Sequence, residues 1–244
     1  MNKKYYFASD VHLGLPPSEK ATERERRFVR WLDSIKNDAE EIFLLGDIFD
    51  FWFEYKKVAP RGFTRTLGKI AEITDSGIPV RFIPGNHDLW AGDYLVSETG
   101  IILHDYVYER ELSGKKFFMA HGDSLNIDDK KHIVTRVFFT NKLLQKLFAS
   151  LHPGVGMKIA HAWSQSSRKQ MKTVLPFKGV DEALYRFAKD KTETEHYDCF
   201  VFGHLHTPVK TNVGNDSEFV ILPEWLSGGG YAVFAGDNLE LKLI

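Results

Sequence analysis

Glu41-Ile-Phe-Leu-Leu-Gly-Asp-Ile-Phe-Asp50 is the stretch whose reading decides the fold. Ile42, Phe43, Leu44 and Leu45 form an unbroken apolar run, the pattern of a strand covered on both faces of a sheet. Gly46 then allows a sharp turn, because it has no Cβ to obstruct one. Asp47 is thereby presented at the carboxyl end of a strand, the edge where open α/β sheets place ligand sites. A single Gly-Asp pair after a strand is ordinary turn chemistry.

Four other stretches repeat the grammar. Lys4-Tyr-Tyr-Phe-Ala-Ser ends in Asp10-Val-His12, and Pro79-Val-Arg-Phe-Ile-Pro ends in Gly85-Asn-His-Asp88. Lys116-Phe-Phe-Met-Ala ends in His121-Gly-Asp123, and Cys199-Phe-Val-Phe ends in Gly203-His-Leu-His206. Five short apolar strands that each end in His, Asp or Asn form a joint signal that no one of them carries.

Between these strands the helical periodicity is clear. A helix is expected from about Lys20 to Lys36, with Phe28, Trp31, Leu32 and Ile35 inward, and another from about Thr64 to Ser76. Strand-helix-strand succession implies a parallel sheet. Leu103 to Glu111 and Lys115 to Met119 read as two strands around Ser113-Gly114. Asp181 to Lys191 reads as a helix, Phe219 to Leu222 as a strand, and Tyr231–Phe234 with Leu239–Leu243 as a hairpin. The run Phe49-Asp-Phe-Trp-Phe53 is either core or a wall of the site.

The 244 residues suffice for one large domain or two small ones. Apolar residues at 43% and charged ones at 27% give the balance of a soluble globular protein. One cysteine, Cys199, fits a reducing compartment, and no signal peptide or membrane-length apolar run is evident, so a cytoplasmic location is expected. The net charge of −1 conceals a division. Lys130 to Val180 contains no Asp or Glu and ten Lys or Arg, so the remainder sums to −11. Within it, Phe138, Phe139, Leu143, Leu144, Leu147, Phe148 and Leu151 form an apolar stripe; His152-Pro-Gly154 breaks that helix, and a second is expected from about Met157 to Thr173. The pair reads as a cap, with a basic rim suited to phosphate and an apolar face suited to a greasy substrate or a membrane. Nucleic acid is the weaker reading of the ten basic residues, since no stacking platform or reading motif accompanies them.

Together the clusters offer Asp10, His12, Asp47, Asn86, His121, His204 and His206. Mixed imidazole and carboxylate donors suit Mn²⁺, Fe²⁺ or Zn²⁺ better than Ca²⁺. Seven positions suit two ions sharing a bridging carboxylate, the equipment for hydrolysing a phosphoester or phosphoanhydride. Asp10 and His12, two apart, would share a face of an extended chain. His87 is placed to protonate a leaving oxygen or contact phosphate, with Asp88 orienting its imidazole. Asp123 is a candidate outer partner of His121.

The order Asp10-x-His12, Gly46-Asp47, Gly85-Asn-His-Asp88, His121-Gly-Asp and Gly203-His-x-His206 resembles the calcineurin-like metallophosphoesterase superfamily. The resemblance implies an α/β fold, a four-layer α/β/β/α sandwich, as one domain over residues 1–244 with a helical cap insert at about 130–180. It implies one ion on Asp10, His12, Asp47 and His206, and another on Asp47, Asn86, His121 and His204. Gly46-Asp-Ile-Phe-Asp-Phe-Trp52 and His121-Gly-Asp-Ser-Leu-Asn-Ile-Asp-Asp129, with the insert after them, are similar to the UDP-2,3-diacylglucosamine pyrophosphatase family of lipid A biosynthesis. That likeness implies Mn²⁺, a lipid-linked UDP-sugar as substrate with UMP as product, and peripheral contact with the cytoplasmic face of the inner membrane. It implies substrate contacts at Asn86, His87, Asp129, Ser167, Lys169, Lys172 and His204. The best-known members carry Arg where this chain has His87, which as His could act as a general acid rather than only stabilise charge. The alternatives are a phosphoesterase for another phosphodiester or nucleotide, and a nuclease.

Overall fold

The computed structural model describes residues 4–125, 140–159, 162 and 176–244. At its centre two sheets lie face to face. In the first, β1 (Lys4–Ala8), β2 (Ala39–Leu44), β3 (Val80–Phe82) and β4 (Ile102–Leu103) run parallel as neighbours. β10 (Gly230–Ala235) joins β1 antiparallel, and β11 (Asn238–Leu243) closes that edge. The second sheet has the spatial order β5 (Val107–Leu112), β6 (Lys115–Ala120), β7 (Cys199–Phe202), β9 (Ser217–Ile221), β8 (Val209–Val213), with β6, β7 and β9 parallel.

The unbroken apolar runs are explained by three packed interfaces. Successive side chains on a strand point to opposite faces. Tyr6 and Ala8 of β1, with Ile42 and Leu44 of β2, therefore meet the helices α1 (Ser18–Ile35), α2 (Thr64–Asp75) and α3 (Asp93–Thr99). Tyr5, Phe7 and Phe43 point the other way, against Phe117, Met119, Cys199 and Val201 of the second sheet. Phe7 stacks on Phe43 at 5.0 Å and on Phe117 at 5.7 Å, joining the sheets at mid-height. The far face of the second sheet, with Phe118, Phe200 and Phe202, is covered by Leu184 and Ala188 of a further helix, Ala183–Thr194. Helices, sheet, sheet and helix make the expected four layers. The Cys199 thiol is buried between the sheets, and burial above all pushes it up to about 12, so it is chemically quiet.

Most expected elements stand within two or three residues of their expected bounds. One does not. Leu103–Glu111 is not a single strand: β4 ends at Leu103 in the first sheet and β5 begins at Val107 in the second, so the chain changes sheets between them. α3 and β8 were not expected from the sequence. Of the insert, α4 (Lys142–Ala149) is helical, capped by Asn141, whose side chain accepts from the N–H groups of Leu143 and Leu144. With α4 in chain order, the helix on the second sheet is α5. Residues 153–159 are again helical, so the break falls at Leu151-His152 and Pro153 begins the next turn rather than interrupting it. Most of the second expected cap helix lies outside the described residues.

The aromatic run divides its duties. Phe49 and Trp52 are core, whereas Phe53 lies under α4, with Phe148 at 4.8 Å and Trp90 at 4.9 Å in edge-to-face contact.

Candidate metal centre

Every chemistry-bearing cluster follows the carboxyl end of a strand. β1 leads to Asp10 and His12, β2 to Asp47 and β3 to Asn86–Asp88, while from the second sheet β6 leads to His121 and β7 to His204 and His206. All seven expected donors are thus carried on the turns that follow these five strands.

The turns are sharp. Asp10 (φ +53°), His12 (+48°), Asp47 (+53°), His204 (+69°) and His206 (+57°) adopt the left-handed conformation. They are five of the seven non-glycine residues that do so among the described residues. Each costs backbone energy that L-residues avoid, and such strain concentrates at functional sites. Asp10 and His12 therefore do not share a face of an extended strand; the turn, not alternation, brings them together. Close approach between turns requires glycine. A Cβ on Gly46 would lie 2.4 Å from Gly85 N, and one on Gly203 would lie 2.7 Å from Asp10 Oδ2.

The donors form a connected array. His206 Nε2 is 3.1 Å from Asp10 Oδ1, and His12 Nε2 is 3.3 Å from His206 Nε2. Asp47 Oδ2 lies 3.4 Å from His121 Nε2 and 3.8 Å from His12 Nε2. Ligand atoms of Asp10, His12 and His206 lie within 4.8 Å of one another, as do those of Asp10, Asp47 and His121, and of His12, Asp47 and His87. His204 joins through its N–H, which donates to Asp10 Oδ2 at 3.0 Å, and its ring meets His121 edge-on at 5.2 Å.

Two observations fit this array to cations. Asp10 Oδ1, Asn86 Oδ1 and His121 Nε2 are buried without a hydrogen bond, a costly state for polar atoms that lack another partner. The orientation of His121 is also fixed: Nδ1 donates to Leu45 O at 2.9 Å, so Nε2, 3.4 Å from Asp47 Oδ2, is the nitrogen that can exchange its proton for a cation. A ring held through one nitrogen by a carbonyl, with the other free, is the usual form of a metal-ligating imidazole.

Charge accounts for the electrostatics. Burial acts to raise the Asp47 carboxyl, but the His121 and His87 charges outweigh it and hold the group well below the usual carboxylate range. Burial likewise acts to raise Asp10, and His206 above all brings it down. Burial lowers His12. It also opposes protonation of His121, yet the Asp47 charge raises that ring well above its ordinary value, with Asp123, buried in the turn after His121, adding to the rise.

His87 and Asp88 depart from expectation. Asp88 does not orient the His87 imidazole. It is fully buried, and its carboxylate accepts from the N–H groups of Asp47, Gly85, Ile48 and Phe49 at 2.7–3.3 Å. Burial, then the neighbouring Asp47 charge, push it up to about 7, against the pull of those amides. His87 is oriented instead by Asp50, whose carbonyl accepts from Nδ1 at 2.8 Å. The Asp50 carboxylate lies 3.7 Å from His12 Nδ1 and 3.9 Å from His87 Nδ1. Asp50 was missed as a site residue although it closes the deciding stretch; its acidic side chain three residues after Asp47 was the available signal. Asp129, Ser167, Lys169 and Lys172 lie outside the described residues.

The family model for calcineurin-like phosphoesterases matches residues 3–208. A UDP-2,3-diacylglucosamine hydrolase of Porphyromonas gingivalis is 38% identical, covering 99% of this chain and 98% of its own. One from Vibrio vulnificus is 30% identical over 97% and 96%. A solved archaeal phosphodiesterase aligns over 99% of each chain at 14% identity, with a TM-score of 0.49. With the family model covering most of its length, the chain belongs to the calcineurin-like phosphoesterases, hydrolases that use divalent metal ions.

Proposed function

We propose that this chain hydrolyses the pyrophosphate of UDP-2,3-diacylglucosamine, giving UMP and 2,3-diacylglucosamine 1-phosphate, as one metallophosphoesterase domain with a cap at about residues 130–180. The observation that carries the reading is near-full-length similarity to hydrolases of that name, joined to a complete set of donors on the turns of both sheets. Asp10, His12, Asp47 and His206 would hold one divalent ion, and Asp47, Asn86, His121 and His204 the other; the mixed imidazole and oxygen donors suit Mn²⁺, Fe²⁺ or Zn²⁺, and the likeness to the lipid A pyrophosphatases favours Mn²⁺ among them. When bound, such a pair neutralises phosphoryl charge and lowers the pKa of a water molecule.

The chain's own groups supply the rest. His87 donates through Nδ1 to the Asp50 carbonyl, so Nε2 is the nitrogen left to work, and it lies 3.9 Å from Asp47 Oδ2. In its imidazolium form this nitrogen binds a phosphoryl oxygen and yields its proton to the departing phosphate. Asp50, near both His87 and His12, stabilises that positive charge. Asn86, His204 and Asp129, with Ser167, Lys169 and Lys172 of the insert, are the further substrate contacts in this reading.

The cap supports a lipid substrate. Leu143, Leu147, Leu151, Val155 and Ile159 recur at intervals of four and are 36–66% exposed, with Lys142, Lys146 and Lys158 also exposed. An apolar stripe flanked by lysines suits acyl chains or peripheral contact with the inner membrane. No helix among the described residues is long and apolar enough to cross a membrane.

The test is Mn²⁺-dependent hydrolysis of UDP-2,3-diacylglucosamine beside a generic aryl phosphodiester. Preferential release of UMP supports the proposal. Turnover of the aryl ester alone leaves a phosphoesterase but discards the lipid reading.

A further inference from the structure

Glu54 has no part in the chemistry above, yet it gathers four donors onto one half-buried carboxylate. Oε1 accepts from Trp52 Nε1 at 2.8 Å, Gly92 N at 2.9 Å and Leu95 N at 3.1 Å, and Oε2 from Tyr94 N at 2.8 Å. Trp52 belongs to Glu54's own turn, the one that begins at Asp47. The other three donors belong to the start of α3, which has no side-chain cap of its own. The fit is close: a Cβ on Gly92 would lie 3.0 Å from Glu54 Oε2.

Asp88 makes the reciprocal connection. It reaches from the Asn86-His87 turn to the backbone of Asp47, Ile48 and Phe49, while Glu54 reaches from the Asp47 turn to the far end of the Asn86-His87 segment. Between the two carboxylates, Trp52 N donates to His87 O at 3.2 Å, and Phe53 and Trp90 form a parallel bridge. The segment from Gly85 to Leu95 is therefore pinned at both ends. Released at Gly92, it would keep the Asp88 end and the Trp52–His87 and Phe53–Trp90 links, but would lose the anchor five residues beyond His87.

We propose that Glu54 is a positioning residue, which fixes Asn86 and His87 relative to Asp47 by anchoring the far end of their segment. The proposal rests on the two-ion reading above, in which Asn86 serves only the second ion. Loss of Glu54 then weakens one ion and spares the one on Asp10, His12 and His206. A residue that merely caps α3 would lower stability without telling the two ions apart.

The experiment is calorimetric titration of metal-free full-length protein with Mn²⁺, alongside steady-state kinetics on UDP-2,3-diacylglucosamine. The unaltered protein is expected to bind two ions; fewer than two would overturn the two-ion reading itself, before any variant is compared. Glu54→Ala is expected to bind the first ion normally and the second about 10–100-fold more weakly, the range for outer partners of metal ligands. Its kcat falls with the second ion, and Glu54→Gln, whose single amide oxygen can take the place of Oε1 and its three donors but cannot also accept from Tyr94 N, restores part of both. Glu54→Asp, one methylene shorter, gives the same direction of change if the Ala variant does not fold. Two ions bound with unaltered affinity in folded Glu54→Ala or Glu54→Asp would overturn the proposal, whatever the loss of thermal stability.

Discussion

Gly85→Ala offers a sharp test of how the site is assembled. The φ of Gly85 is not in the left-handed region, so alanine brings no backbone strain there, only a methyl group. That methyl would lie 2.3 Å from Asp47 Oδ1, 2.8 Å from Asp47 N and 2.8 Å from His121 Cδ2. Ordinary contact begins near 3.4 Å, so the Asp47 carboxylate must retreat by about 1 Å. Retreat also breaks the bond that Oδ1 accepts from His87 N at 2.9 Å. Backbone and ring on the other two sides leave no easier escape. A displacement of about 1 Å at a reacting centre costs roughly 100-fold in rate, or about 2.7 kcal/mol of barrier. Overpacking costs a further 1–3 kcal/mol or so of stability, a fall in Tm of about 2–4 °C for each kcal/mol. Gly68→Ala is the control. It lies in α2, its added Cβ meets nothing within 4 Å, and it is expected to gain about 0.5–1 kcal/mol with activity unchanged. The assay is kcat/KM with Mn²⁺ and thermal unfolding of each variant. Gly85→Ala with kcat/KM within threefold or so of the unaltered protein would refute the argument that Gly85 is needed for Asp47 to sit where it does.

Other outcomes follow from the same geometry. Asp47→Ala and His121→Ala are each expected to abolish hydrolysis while leaving a cooperative unfolding transition; retained turnover in either would remove that residue from the centre. Chelation should silence the enzyme and added Mn²⁺ restore it, and full activity in excess chelator would count against a metal-dependent reaction. His104, lowered by burial first and then by the Arg81 and Arg110 charges, stays neutral in the fold where the unfolded chain takes up a proton. Stability is therefore lost as pH falls below about 6.5, and His104→Gln should flatten the decline in Tm on the acid side of that value; parallel curves would contradict this. Leu143→Ser with Leu147→Ser should raise KM for the lipid substrate roughly tenfold or more and leave the aryl diester unaffected, and equal effects on both substrates would argue against the cap as a lipid contact.

The sequence made the centre legible because its signals are local. Each cluster directly follows an apolar strand, and glycine marks the turn at Gly46, Gly85 and Gly203. The four layers were legible for a similar reason: an unbroken run such as Ile42–Leu45 has to be covered on both faces. The failures involve partners distant in sequence. α3 was missed because its cap is Glu54, about 40 residues earlier, and nothing beside Asp93 advertises a helix start. The exchange of sheets between Leu103 and Val107 was missed because Ile102, Leu103, Tyr106, Val107 and Tyr108 read as strand residues whichever sheet receives them. The duty of Asp88 was misjudged because its neighbour in sequence, His87, is not its neighbour in bonding. The four amides it collects come mostly from a turn some 40 residues away, which only the folded chain brings within reach.

The division of donors between the sheets has a mechanical consequence. Asp10, His12, Asp47 and Asn86 belong to one sheet, and His121, His204 and His206 to the other. Across most of their area the two sheets meet through apolar side chains, which tolerate sliding better than bonds of fixed direction do. An ion held by Asp10 and His206, as proposed, would act as a rivet through both plates. Sliding or splaying of the sandwich would then have to break coordination as well as packing, and resistance to unfolding would grow with the logarithm of free ion concentration, by about 1.4 kcal/mol for each tenfold increase above the dissociation constant.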